Sequence, residues 1–208
     1  MYDFTTEALL KRGKVLTEHL IKRLADYGYQ GVYIDDDISS GVEVKELVRV
    51  ETRVHAIEAI RAMDVDAAKD VAEDIVEQIL DADDVSVDMV DLRSYDDYTY
   101  FHSVSVAILA VIVGSALDYS KSRLWELCLS GMFHDIGKMF IDPNILNKPA
   151  LLTSEEFGCM REHPRYSYKF LNQHADISEA VKLGTLCHHE NEDGSGYPLG
   201  ISGEQIPP

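Results

Sequence analysis

Between residues 44 and 80 the sequence contains neither proline nor glycine, and acids and bases alternate on a helical repeat. Val54, Ile57 and Ile60 form one apolar stripe and Val71, Ile75 and Ile79 another, at the spacing of a helix that buries one face. The segment predicts one long helix or two helices end to end, with Asp64 or Asp66 capping the second. Such a rod commonly joins modules or pairs subunits, so residues 41–93 are read as a helical linker and dimerisation region.

Upstream, Leu16, Leu20, Ile21 and Leu24 recur at helical spacing, with Thr17 near the start. "GVYI" after a Tyr-Gly turn predicts a short strand and "EALL" an earlier one. Residues 1–40 are therefore expected to form a small α+β module, and the acidic "DDDISSGVEV" a linker. From about Ser94 the chain reads as helix after helix. Thr153 and Glu156 fit a capping box, Pro164 fits a first helical turn that puts His163 at a helix–helix junction, and "DGSGYPLGISGEQIPP" reads as loop. The expected fold class is mainly α: a helical bundle over residues 94–208, preceded by the α+β module and the connecting helix. The most apolar run, residues 104–117, falls short of the ~20 residues a bilayer demands and reads as a core helix.

Charge narrows the partners. A formal net charge of −18 repels nucleic acid polymers and anionic membrane, unless a bound metal cluster reverses it locally. Cys128, Cys159 and Cys187 are odd in number and far apart, which argues against a disulfide framework and for a reducing, cytoplasmic setting. The N-terminus has no apolar core of signal-peptide type.

Six of the eight histidines lie beyond Ser94, five of them in polar or glycine-marked settings: His102, His134, His163, His188 and His189. "FHDIGK" places His134 and Asp135 side by side, where adjacent helical positions about 100° apart can reach one metal. The carboxylate can also bridge two metals. Gly137 is expected to leave the backbone open, and Lys138 to put an ammonium near an anion bound to the metals. Nitrogen ligands with a carboxylate suit Fe, Mn, Zn or Co over Ca or Mg. His19, His55 and His174 read as structural or surface residues.

"HDIGK", then "EHP", then "HHENEDGSGYPLG" closely resemble the HD-GYP domain, a branch of the HD metal-dependent phosphohydrolases. The resemblance covers roughly Tyr95 to Pro208 and implies an HD-type helical bundle. It implies that His134, Asp135, His163, His188 and His189 bind metal with Asp135 bridging, and that His102 is the upstream histidine of the set. It implies two divalent transition metals, Fe or Mn first, with Zn, Co or Ni as further choices. Lys138 would contact the substrate phosphate, and the loop carrying Gly194, Gly196, Tyr197 and Pro198 would shape the guanine-nucleotide side of the pocket. The implied reaction is hydrolysis of cyclic di-GMP to pGpG, and in some members on to GMP, by a water of lowered pKa attacking phosphorus in line. The resemblance also admits a homodimer and a GGDEF-domain partner.

Tyr98 stands where some members carry a third-metal Glu, so two metals are expected at most. The family's further metal-binding Asp, on a helix soon after the loop, is absent. The 208-residue chain is therefore expected to be a fragment, with partial metal occupancy and poor activity. The rival reading is a catalytically impaired HD-GYP module that binds nucleotide or a signalling partner. An HD phosphohydrolase of another nucleotide is disfavoured by "GSGYP".

Overall fold

The computed structural model of the protein describes residues 14–26, 47–82 and 98–207. The strands expected at residues 7–10 and 31–34, and the acidic linker, lie outside them. Among the described residues every regular element is helical: α1 (Glu18–Asp26), α2 (Val50–Ala62), α3 (Val65–Leu80), α4 (Tyr98–Ala116), α5 (Lys121–Phe133), α6 (Pro143–Leu146), α7 (Ser154–Met160), α8 (His163–Leu171) and α9 (Glu179–Cys187). Two 3₁₀ turns, Ile136–Phe140 and Gly203–Gln205, complete the set.

The segment expected as a rod is two helices that fold against each other. Met63 adopts a left-handed φ of 53°, and the Asp64 side chain accepts the Ala67 amide at 3.0 Å to start α3. Asp64 is thus the cap, as its position allowed. The chain turns there because each stripe gains more by burial than by exposure along a rod. Ile57, Ile60, Val71, Ile75 and Ile79 join one core with Val104, Ala107 and Val111 of α4 and Leu124, Leu129 and Met132 of α5.

Helix α4 is longer than its most apolar run suggested. Thr99–Ala116 is long and apolar enough, by length and composition, to cross a membrane. In this fold Val104, Ala107 and Val111 face the shared core instead. The chain reverses through Asp118 at φ 57°, and Ser120 caps α5 by accepting the Arg123 amide. Helix α5 packs on α3, α4 and α9, while α8 packs on α9 and on the first 3₁₀ turn. The expected capping box at Thr153 and Glu156 opens α7. Lys69 pairs with Asp176 and so ties α3 to the loop before α9. All three cysteines are free thiols.

Candidate metal centre and its pocket

Three histidines sit at helix ends: His134 closes α5, His188 closes α9 and His163 opens α8. Each directs Nδ1 at the carbonyl three residues earlier: Gly131 O at 2.8 Å, Met160 O at 2.7 Å and Thr185 O at 2.9 Å. A carbonyl only accepts, so Nδ1 carries the proton, and in the neutral ring Nε2 is a bare lone pair. Those lone pairs converge. His134 Nε2 lies 3.2 Å from Asp135 Oδ2, His163 Nε2 3.2 Å from Asp135 Oδ1, and His188 Nε2 3.8 Å from the same Oδ1. His163 and His188 bring their Nε2 atoms within 3.2 Å of each other.

Burial favours the neutral form of His102, His188 and His189. Burial, then the neighbouring charge of His134, pushes His188 down to about 3. Burial, then His163, pushes His189 down to about 4, and burial followed by His134 lowers His102. Burial alone would raise Asp135, but the adjoining His134 and His163 rings and the Lys138 charge outweigh it, holding the carboxyl far below its usual range. Lys138 donates to Asp135 Oδ2 at 2.7 Å and is the donor that keeps Asp135 ionised when the imidazoles are neutral. Asp135 Oδ1 is buried and accepts no hydrogen bond. An ionised oxygen facing imidazole lone pairs in a desolvated site is matched only by a cation, and tethering the far nitrogen to a carbonyl is how metal-binding histidines are usually oriented. The residues fit a divalent metal.

The structure brings all six expected ligands together. Donor atoms of Asp135, His163, His188 and His189 lie within 4.8 Å of one another, as do those of His102, His134 and Asp135. Asp135 belongs to both groups. The side chain of Tyr98 is outside the described residues.

The "HD" pair is not mid-helix. His134 ends α5, and Asp135, at φ −101° and ψ 2°, leads into the 3₁₀ turn. Gly137 does not leave the backbone open. A Cβ there would lie 1.9 Å from His163 O, so glycine lets the turn close on α8. Ser167 fastens that contact, donating to His134 O at 2.8 Å and accepting the Gly137 amide at 2.9 Å. The sequence reading missed Ser167, though it stands four residues after His163 and hence on the same helical face.

Beside the centre opens a pocket of about 330 Å³, lined among others by His188, His189, Gly196, Tyr197, Phe157 and Arg161. Of the expected loop residues, Gly196 and Tyr197 line it. Gly194 makes the turn at φ 76°, and Pro198 offers its carbonyl to Arg165 at 2.8 Å. Gly196 is required by close approach, since a Cβ would lie 2.4 Å from Glu190 Cα. The Tyr197 ring stacks on His189, centroids 4.5 Å apart and planes at 21°. The Arg161 guanidinium lies over Tyr197 at 4.7 Å. Glu190 holds the loop's far side by accepting the amides of Leu199, Gly200 and Ile201. Phe157, Arg161 and Glu190 were not singled out from sequence.

A family model described as "HD domain" matches residues 85–208. The chain is 38% identical over 146 residues to a cyclic di-GMP phosphodiesterase of Pseudomonas aeruginosa, covering 70% of this chain and 35% of that one. It is 37% identical over 110 residues to cyclic di-GMP phosphodiesterase PdeB of Borreliella burgdorferi, covering 53% and 29%. It is 34% identical over 134 residues to a 3'3'-cGAMP-specific phosphodiesterase of Vibrio cholerae, covering 63% and 30%. The chain thus spans about a third of the length of these curated relatives. Among solved structures, an HDG"Y"P protein from Bdellovibrio bacteriovorus shares the fold, with a TM-score of 0.57 and 18% identity over 91% of this chain and 61% of that one.

Proposed function

This chain belongs to the HD domain family, whose members bind divalent metal, and we propose that it is a cyclic di-GMP phosphodiesterase of the HD-GYP branch. One observation carries the reading: three imidazoles tethered through Nδ1 aim their Nε2 lone pairs at one buried, ionised carboxylate. His134 and His102 would hold one metal and His163, His188 and His189 the other, with Asp135 between them. Fe or Mn is the first expectation, with Zn, Co or Ni able to use the same donors. When bound, such a pair supplies Lewis-acid charge on a phosphoryl oxygen and a water acidified toward ~7.

The chain's own residues account for the rest. Asp135 and the neutral imidazoles fix the direction of the donors with no proton to remove first. Lys138, one 3₁₀ turn beyond Asp135, keeps a cation at the rim, where charge builds on the phosphoryl oxygens. The loop from Gly194 to Pro198 walls the pocket in which the remainder of the dinucleotide would lie. Support for this substrate comes from the relatives named as cyclic di-GMP phosphodiesterases and from the "GSGYP" loop. Residues 94–208 form the proposed catalytic unit, with α2 and α3 sharing its core, and residues 1–40 the proposed regulatory module. The free thiols and acidic charge support a cytoplasmic setting.

The test is anaerobic purification, metal analysis, and chromatography of products from cyclic di-GMP. Metal-dependent pGpG is expected, abolished by Asp135→Asn. Absence of pGpG from metal-loaded protein would refute the reading.

A further inference from the structure

Arg161 is, among the described residues, a cation without an anion. Among the described residues no carboxylate or carbonyl takes its guanidinium, although the chain carries 37 acids against 19 bases. Its neighbour Arg165, by contrast, reaches Glu162 at 3.6 Å and Pro198 O at 2.8 Å. The described contact of the Arg161 head group is the face of Tyr197, whose ring also stacks on His189. Both neighbours lie under 5 Å from the ring centroid. That cation–π contact uses the face of the guanidinium's partner ring and leaves the N–H donors of Arg161 available to the pocket it lines.

A second feature sits on the same wall. Phe157 is four residues before Arg161, hence on the same face of α7, and its side chain stays 48% exposed beside the pocket. A half-exposed aromatic face is a surface on which a planar base stacks. Asn191 completes the set. Its amide nitrogen donates to Ser195 Oγ at 3.0 Å, which leaves Oδ1 to accept.

We propose that Phe157, Arg161 and Asn191 form a base-reading subsite for guanine. Phe157 stacks the ring, Arg161 donates in a fork to O6 and N7, and Asn191 Oδ1 accepts from N1–H or the 2-amino group. The subsite rests on the cyclic dinucleotide reading above and deepens it to base choice. Guanine offers two acceptors to such a fork, whereas adenine places an amino donor at the matching position. Arg161 is therefore a specificity-determining residue that separates a substrate with two guanines from one carrying adenine.

The experiment uses the Mn²⁺-loaded chain with two readouts. Calorimetric titration with GMP and AMP is expected to show GMP bound at least tenfold more tightly, and Arg161→Gln to erase most of that preference. Arg161→Lys keeps the cation over Tyr197 but lacks the planar fork, so it should lose the preference too. In steady-state assays Arg161→Gln should raise KM for cyclic di-GMP about tenfold or more, and far more than for bis(p-nitrophenyl) phosphate, which has no base. Equal loss of GMP and AMP affinity would assign Arg161 to phosphate and overturn the proposal. So would an Arg161→Lys variant that keeps the full preference, or no GMP preference in the parent chain. An Arg161-dependent GMP preference without cyclic di-GMP turnover would uphold the subsite and refute the phosphodiesterase reading instead.

Discussion

Replacing Ser167 with alanine removes one oxygen atom that touches no metal ligand's side chain, yet it should weaken the metal centre. Ser167 is fully buried, and its hydroxyl both donates to His134 O and accepts from the Gly137 amide. The variant leaves a buried carbonyl and a buried N–H unpaired. At about 1–3 kcal/mol for each orphaned group, the metal-free protein should lose about 2–6 kcal/mol. Urea unfolding reads this as a lower midpoint at unchanged slope. The two backbone groups flank Asp135, so the loss should reach the centre. Mn²⁺ affinity, measured by chelator competition, should fall about tenfold or more. A stability change under about 0.5 kcal/mol would refute the bonding argument. A full stability loss with unchanged Mn²⁺ affinity would show that the bridge secures helix packing alone.

Three other perturbations test separate parts of the site. His188 falls from 6.5 to about 3 on folding; below 6.5 the unfolded chain takes up a proton that the native ring refuses. The stability of the metal-free protein is therefore fully present above pH 6.5 and lost as pH falls toward 3, by on the order of a few kcal/mol at ~1.4 kcal/mol per unit; urea titrations at pH 7 and pH 5 measure it. Lys138→Ala should slow cyclic di-GMP turnover at least ~tenfold with metal content intact by elemental analysis. Loss of metal alongside activity would make the lysine a support for Asp135. Glu190→Gln cannot hold three loop amides as a carboxylate does, so KM should rise several-fold while Mn²⁺ stoichiometry stays constant.

What was legible in the sequence was chemistry carried by residue type. The imidazoles and Asp135 announced themselves because few other roles gather so many of them in helical settings, and the structure gathers all six into two groups that share Asp135. Tertiary packing decided what was misread. The 44–80 segment has the periodicity of a rod, and periodicity cannot tell a rod from a hairpin when both bury the same stripes. Asp64 was the local sign of the break. Gly137 looked like freedom and is in fact tightness, because the carbonyl it must pass belongs to a helix far along the chain. Ser167 and Arg161 were invisible for the same reason: a serine or arginine acquires meaning only from what the fold sets opposite it.

The tethering of the histidines also explains how so acidic a chain can be read as holding an anionic ligand. Six converging residues bring one formal negative charge, that of Asp135, because the other five are imidazoles, and burial pushes His188 down to about 3 and His189 to about 4. Had the donors been carboxylates, bound divalent cations would be largely neutralised and the surrounding field of −18 would dominate. With neutral donors the cations keep most of their charge, in a site where low polarity strengthens each interaction. Lys138, against Asp135, and Arg161, in the pocket lining, add positive charge. Glu190, next in the chain to His189, is turned to three backbone amides and so opposes an incoming phosphate less than a free carboxylate would. The choice of histidine over carboxylate thus decides the sign of the pocket, and the sign of the pocket decides which ligands an acidic protein can admit.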